Sequence, residues 1–168
     1  MSEARVVRIR RERWRDRDLL LASIRRLEQW PDSTVMPQHH FILFVAVDAT
    51  SIDDNALEAL ANKLLGQGAA YVCAWGPECE RVHQAFDVAR EAVYPNDAER
   101  LVMTTSHADE TLAEALWFAL FTALPGEGFG DRCDDLLALS VGNDEWTAQI
   151  GSWLENPHQL NAEVLATD

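Results

Sequence analysis

The sequence predicts an α/β protein: a three-layer sandwich with a mostly parallel sheet of four to five strands and helices on both faces. From Phe41 onward, short apolar runs alternate with longer segments whose apolar residues recur at helical spacing. Glycine, proline or asparagine separates these segments, as turns require. Four strand–helix units in succession indicate an open parallel sheet, because a closed barrel of this type needs eight units.

The predicted strands are largely apolar, which is typical of strands buried on both faces of a parallel sheet. The clearest is the run FILFVAV, in which apolar residues follow one another without a polar break. Within this Rossmann-like or flavodoxin-like fold class, we expect the strand order 2-1-3-4, by analogy with flavodoxin-like sheets. The predicted strands are Phe41–Val47, Ala70–Trp75, Leu101–Thr105 and Leu136–Val141.

Each predicted helix follows one strand. Gly66 and Gly68 end the first helix, and Tyr94 ends the second because a residue before proline avoids the helical region. The third helix is apolar on nearly all sides, so we expect the N-terminal segment, a second subunit or a partner to cover it. The predicted helices are Asn55–Leu65, Gly76–Val93, Thr111–Leu124 and Asp144–Leu154.

Charge is distributed unevenly along the chain. The first 26 residues contain nine basic and four acidic residues, a net charge of +5. The rest contains five basic and 24 acidic residues, a net charge of −19, so the whole chain carries −14. Such asymmetry indicates either a partner or an arm that folds back on its own domain.

The N-terminal region is predicted from two patterns. Val6–Arg10 fits an edge strand or a disordered arm, and Asp18–Trp30 fits an amphipathic helix whose leucines face the body. We expect an arm and helix over residues 1–30, an α/β domain over 38–156 and a C-terminal tail over 157–168. Removal of Arg5–Arg17 should then change solubility or association far more than folding.

Composition excludes several classes of protein. No apolar run reaches the roughly 18–20 residues that span a bilayer, and the arginine-rich start lacks the apolar core of a secretory signal. Three cysteines do not form a disulfide framework, so we expect a cytoplasmic protein. An isoelectric point near 4.6 disfavours nucleic acid as a partner, except through Arg5–Arg17.

A site is expected at the carboxyl ends of the strands, where open α/β sheets bind ligands. The residues that follow the four predicted strands are polar and mostly acidic, although helix capping accounts for part of that character. We expect these residues to line a binding rim: Asp48, Trp75, Glu78, His107, Asp109 and Asn143.

One cluster of residues has the types needed for nucleophilic catalysis. Cys79, His83 and Asp87 recur at intervals of four residues, so they line one stripe of the second helix. A thiol in the first helical turn is acidified by the helix dipole, and His83 with Asp87 resembles an activating pair. The alternative is a small structural cysteine beside a solvent-facing pair. No motif for a metal ion or a nucleotide cofactor is present, so we predict neither.

A family resemblance rests on two stretches, YVCAWGPECERVH at Tyr71–His83 and MTTSHADE at Met103–Glu110, followed by EALWF at Glu114–Phe118. These are similar to an uncharacterised bacterial family known only as a domain of unknown function. The resemblance covers Phe41 to Gly151. It implies a bacterial source and no particular activity.

Two hypotheses about function follow. The first is a protein-interaction or binding module with an acidic surface, whose partner is a basic protein or a second copy of the chain. The second is an enzyme or small-ligand-binding protein that uses the rim at the carboxyl ends. The fold class hosts both kinds of function, so the site must decide between them.

Overall fold

The computed structural model describes residues 4–12, 16–33, 36, 39–96, 101–129 and 133–166. A six-stranded sheet runs through the molecule in the order β1-β2-β6-β3-β4-β5. Five strands are parallel and β1 is antiparallel to β2. The predicted α/β sandwich with a mostly parallel sheet is confirmed. The strands are β1 Val7–Glu12, β2 Arg17–Ile24, β3 Phe41–Ala46, β4 Ala69–Trp75, β5 Met103–Ser106 and β6 Leu136–Val141.

The helices form the two outer layers. One buried cluster joins α1 and α2 to the sheet, and a second joins α3, α4 and α5 to the opposite face. The four helices predicted after the four strands are confirmed to within a few residues at their ends. The helices are α1 Asp54–Gly66, α2 Cys79–Val93, α3 Leu112–Phe121, α4 Asp144–Glu155 and α5 Pro157–Ala166.

The predicted strand order is wrong. In the structure β3 lies between β6 and β4, whereas the order 2-1-3-4 placed it between β4 and β5. The chain advances from β3 through β4 to β5 with α1 and α2 on one face. It then returns to β6 with α3 on the other face, as right-handed crossovers require when the direction reverses.

The predicted helix at Asp18–Trp30 is also wrong. Residues 17–24 form β2, and only Leu27–Gln29 makes a short 3-10 turn. Successive leucines in β2 pack into opposite cores, Leu19 on the α3 side and Leu20 on the α1 side. A strand buried on both faces therefore has leucines that also happen to fit helical spacing.

The arginine-rich start of the chain is part of the sheet. β1 is an edge strand, which confirms one of the two expectations for Val6–Arg10. Arg17 is fully buried, and its guanidinium bonds Glu12 at 2.6 Å and the carbonyl oxygen of Leu120 at 2.8 Å. Residues 13–15 of the predicted arm lie outside the described residues.

The apolar helix α3 is covered from within the chain. The segment predicted as a tail forms α5, which packs on α3 with Leu160 fully buried. The indole N–H of Trp117 on α3 donates to the side-chain oxygen of Asn161 on α5 at 2.8 Å. The apolar surface of α3 therefore does not by itself require a partner.

Candidate functional site

The carboxyl ends of the parallel strands meet at one end of the sheet, where backbone hydrogen bonds join their loops. The N–H of His107 donates to Ala74 O, and the N–H of Val47 donates to Trp75 O, both at 3.0 Å. Gly76 makes the close approach of β3 and β4 feasible. Its φ is +122°, and a Cβ there would lie 2.1 Å from the carbonyl oxygen of Val47.

The predicted rim residues fall into one group and two outliers. Trp75 ends β4 and Glu78 lies just after it, whereas His107 and Asp109 follow the neighbouring strand β5. Asp48 follows β3, one strand further along, and Asn143 follows β6, where its side chain accepts from Trp146 N at 3.0 Å and caps α4. The sheet order therefore separates Asn143 from His107 by two intervening strands.

His107 is the most enclosed of the rim residues, with 5% of its surface exposed. Its Nδ1 lies 2.7 Å from Glu110 Oε2, its Nε2 lies 2.8 Å from Thr105 Oγ1, and its ring contacts Phe118. When Nδ1 carries the proton, Nε2 accepts a hydrogen bond from the hydroxyl group of Thr105. The result is a carboxylate–imidazole–hydroxyl relay at the end of β5.

Sequence reasoning selected His107 but missed Thr105 and Glu110 as its partners. The signal was present in the spacing, because residues i and i+2 of a strand share one face. Glu110 then follows in the turn that leads into α3, and its backbone carbonyl accepts the Trp75 indole N–H at 2.8 Å. The relay therefore also joins β4, β5 and the start of α3.

The cysteine cluster on α2 forms only in part. His83 Nε2 lies 3.0 Å from Asp87 Oδ2, so the predicted pair is present and half-exposed. Cys79 is 1% exposed, and burial raises the pKa of its thiol. A buried thiol with a raised pKa is a poor nucleophile. This geometry disfavours catalysis by Cys79, and the role of the cluster stays a prediction.

Exposed carboxylates crowd the rim. Hydrogen bonds from Thr50 lower the pKa of Asp48, whose Oδ1 accepts from Thr50 N at 3.0 Å. Arg81 is engaged by Asp54 Oδ1 at 2.8 Å and by the carbonyl oxygens of Ala49 and Ile52, both at 2.6 Å. The exposed rim carboxylates are Asp48, Glu78, Asp109, Glu110, Asp144 and Glu145.

A groove of about 1170 Å³ lies beside the rim, between the connection after β2 and the start of α1. Arg26, Trp30, Asp53 and Lys63 are among its lining residues. Lys63 Nζ donates to Trp30 O at 3.1 Å and pairs with Asp32 at 3.2 Å, so this cation is already bound within the chain. Sequence reasoning missed the groove because it treated the residues before Trp30 as a helix.

A smaller pocket of about 320 Å³ lies over the ends of β2 and β6. Its lining is mostly polar and includes Ser23, Arg25, Gln29 and Asn143. Among the described residues, no group of three His, Cys, Asp or Glu side chains is placed to hold a metal ion. Within the same residues, no helix has the length and apolar character to cross a membrane.

Together the sheet, its two helical layers and the polar carboxyl ends define an α/β three-layer sandwich. The chain belongs to the family described as domain of unknown function DUF7684, which matches residues 21–157. That range begins within β2 and ends at the start of α5, so it is wider than the resemblance at Phe41–Gly151 predicted. No curated protein matches the chain.

Proposed function

We propose that this protein is a binding module that recognises a basic protein through the acidic rim at the carboxyl ends of its sheet. The observation that carries the proposal is the crowding of six exposed carboxylates at one end of the molecule. Asp48 is ionised at neutral pH, as an exposed aspartate is, and the hydrogen bonds from Thr50 lower its pKa further. Three arginines of the described chain lie at the same end: Arg81 is occupied by Asp54 and by backbone carbonyls, whereas Arg25 and Arg26 are exposed after β2, so the carboxylates outnumber the cations there.

A protein partner accounts for these features better than nucleic acid does. Phosphates would be repelled by a rim of this sign in a chain with a net charge of −14. Basic side chains are attracted to it from a distance, and the attraction raises the association rate. A bacterial source and a cytoplasmic location fit this proposal and remain predictions.

The test uses a lysine-rich peptide as probe and compares association rates at low salt and at about 0.15 M salt. The variant Asp109→Asn/Glu145→Gln removes two rim charges. The control Glu127→Gln/Glu155→Gln removes two exposed charges near the other end of the sheet, after α3 and α4. We expect the rim variant to slow association at low salt several-fold, and the control to change it much less. Equal effects of the two variants would contradict the proposal.

A second candidate function is hydrolysis of a small ester, which the Thr105–His107–Glu110 relay favours. Thr105 Oγ would attack the ester carbonyl while its proton passes to His107 Nε2, and Glu110 would stabilise the imidazolium. The same proton would then go to the departing alcohol. Water, activated by His107, would release the acid from the acyl-threonine and restore the hydroxyl.

The ester hypothesis has a neighbouring control residue. Thr105→Val removes the relay hydroxyl, whereas Thr104→Val changes the adjacent threonine of the same strand. Hydrolysis of p-nitrophenyl acetate should be lost in the first variant and retained in the second. A rate that is the same in Thr105→Val and in the unaltered protein would remove this candidate.

A further inference from the structure

The outer edge of β5, a strand of four residues, has no partner strand among the residues that the structure describes. Its four residues, Met103–Ser106, carry no charge, and no described strand pairs with its outer side. An exposed edge presents unpaired N–H and C=O groups to any extended chain, and proteins usually block such edges with charges, proline or bulges. Among the residues that the structure describes, β5 has none of these.

Apolar surface accumulates beside this edge. Met103 is 42% exposed, Leu101 51% and Leu124 67%. Gly126, two residues after Leu124, lies against the carbonyl oxygen of Leu101, so the loop after α3 is close to the start of β5. Three of the six exposed large hydrophobic residues of the described chain therefore belong to this region.

The pairing register identifies which groups of β5 point outward. His107 N–H donates to Ala74 O, and Thr105 pairs with Cys73 in the parallel register with β4. Backbone groups alternate along a strand, so the N–H groups of Met103 and Thr105 face β4. The N–H groups of Thr104 and Ser106 consequently point away from the sheet.

Exposed carboxylates lie at the carboxyl end of β5, next to its outer edge. The α2 helix runs beside β5, with Arg90 Nη1 donating to Val102 O at 3.4 Å. Asp87 lies one turn earlier on that side of α2, and exposed Asp109 and Glu110 follow β5 at its carboxyl end. An extended segment placed along β5 would therefore have Arg90 and Asp87 on its flank, and the exposed carboxylates Asp109 and Glu110 at one end.

We propose that an extended segment of the basic partner adds to the sheet at β5, with its backbone bonded to Thr104 and Ser106. This inference rests on the proposed function and names the element that receives the partner. Strand addition supplies affinity through main-chain bonds, while the carboxylates at the carboxyl end of β5, Asp109 and Glu110, select basic side chains. A second copy of the chain is disfavoured as occupant, because each copy carries a net charge of −14.

The test uses a peptide of alternating lysine and valine as probe, together with the same peptide N-methylated on alternate residues. Met103→Lys introduces a protective charge at β5. Val7→Lys is its matched control, because Val7 is 44% exposed on the opposite edge strand β1. Thr104→Pro removes an outward N–H, and Thr104→Val retains it.

We expect the probe to bind, and Met103→Lys and Thr104→Pro each to weaken binding about tenfold or more. Val7→Lys and Thr104→Val should leave the dissociation constant within about twofold, and the N-methylated peptide should bind weakly. If binding is salt-sensitive but its dissociation constant is unchanged by these variants and by N-methylation, strand addition is overturned. The proposal that the acidic rim binds a basic partner would stand. Absence of any salt-sensitive binding would overturn the proposed function itself. Self-association that Met103→Lys abolishes would identify a second copy as the occupant and contradict this proposal.

Discussion

The two edges of the sheet are opposites. β1 carries arginines at positions 8, 10 and 11 and has a register shift between Arg8 and Arg10, whereas β5 is uncharged. Charged side chains and bulges are the usual means of preventing an edge strand from pairing with another chain. The comparison supports the inference that the basic residues of β1 protect its edge of the sheet, and it is consistent with our proposal that a partner binds at the other edge.

The largest expected effect tests whether the protected edge is built into the fold. Arg17→Ala removes a fully buried guanidinium from Glu12 and from the carbonyl oxygen of Leu120. Loss of one partner from a buried ion pair typically costs about 3–5 kcal/mol. We expect that loss in the free energy of unfolding, measured by urea denaturation.

A matched control for Arg17 is available on the same hairpin. Arg10 is exposed and donates to the carbonyl oxygen of Glu155, so Arg10→Ala should cost about 1 kcal/mol or less. Removal of Arg5–Arg17 should therefore impair folding, contrary to the expectation from sequence. Equal stabilities of the two alanine variants would show that the hairpin is only an appended arm.

A smaller effect concerns the attachment of this hairpin to the rest of the sheet. Asp135 Oδ1 accepts from Asp18 N at 2.8 Å, and burial raises the pKa of Asp135. The carboxyl group of Asp135 therefore keeps its proton to a higher pH in the folded protein than in the unfolded chain, where aspartates titrate near about 3.9. The stability that Asp135 contributes is present below that pH. It is lost as the pH rises through the pKa that Asp135 has in the folded protein.

Asp135→Asn retains the oxygen that Asp18 bonds and removes the titration. The difference in unfolding free energy between the variant and the unaltered protein should shift in favour of the variant as pH rises from about 4. Denaturation curves at several pH values measure this difference. A difference that stays constant with pH would show that Asp135 titrates as an ordinary exposed aspartate.

The smallest expected effect is that the three cysteines of the chain do not react in the native protein. Burial raises the pKa of the Cys79 thiol, and it raises those of Cys73 and Cys133 to about 12. Reactivity belongs to the thiolate, so all three should react with a disulfide reagent only on unfolding. Rapid modification of Cys79 in the native protein would contradict this expectation and support the prediction of nucleophilic catalysis by Cys79, His83 and Asp87.

The central strands and helices were predictable because each satisfies one clear rule. The run at β3 is buried on both faces, and α1 shows helical spacing with glycines after it. β2 was not predictable in the same way, because its leucines satisfy both a buried strand and an amphipathic helix. Its pairing with β6, more than a hundred residues later, determines the outcome.

The sequence predicted at which end of the sheet the site lies, but not which of the site residues lie next to one another. The carboxyl ends of the strands follow from the fold class, but the expected strand order separated Trp75 from His107, whereas β4 and β5 are neighbours in the structure. Asn143 lies apart from that group because of the strand order. The strand order in turn depends on the face on which α3 crosses the sheet, which the sequence did not reveal. The contrast between the two edges likewise needs β1 and β5 to be known as the terminal strands.

Hydrogen exchange at individual amides, with and without the lysine–valine peptide, tests the contrast between the edges most directly. The outward N–H of Thr104 should exchange rapidly in the free protein and become protected when the peptide is bound. Amides of β1, at Val7–Glu12, should exchange at the same rate in both states. Protection along β1, or peptide binding without protection of Thr104, would contradict the assignment of β5 as the edge that receives the partner.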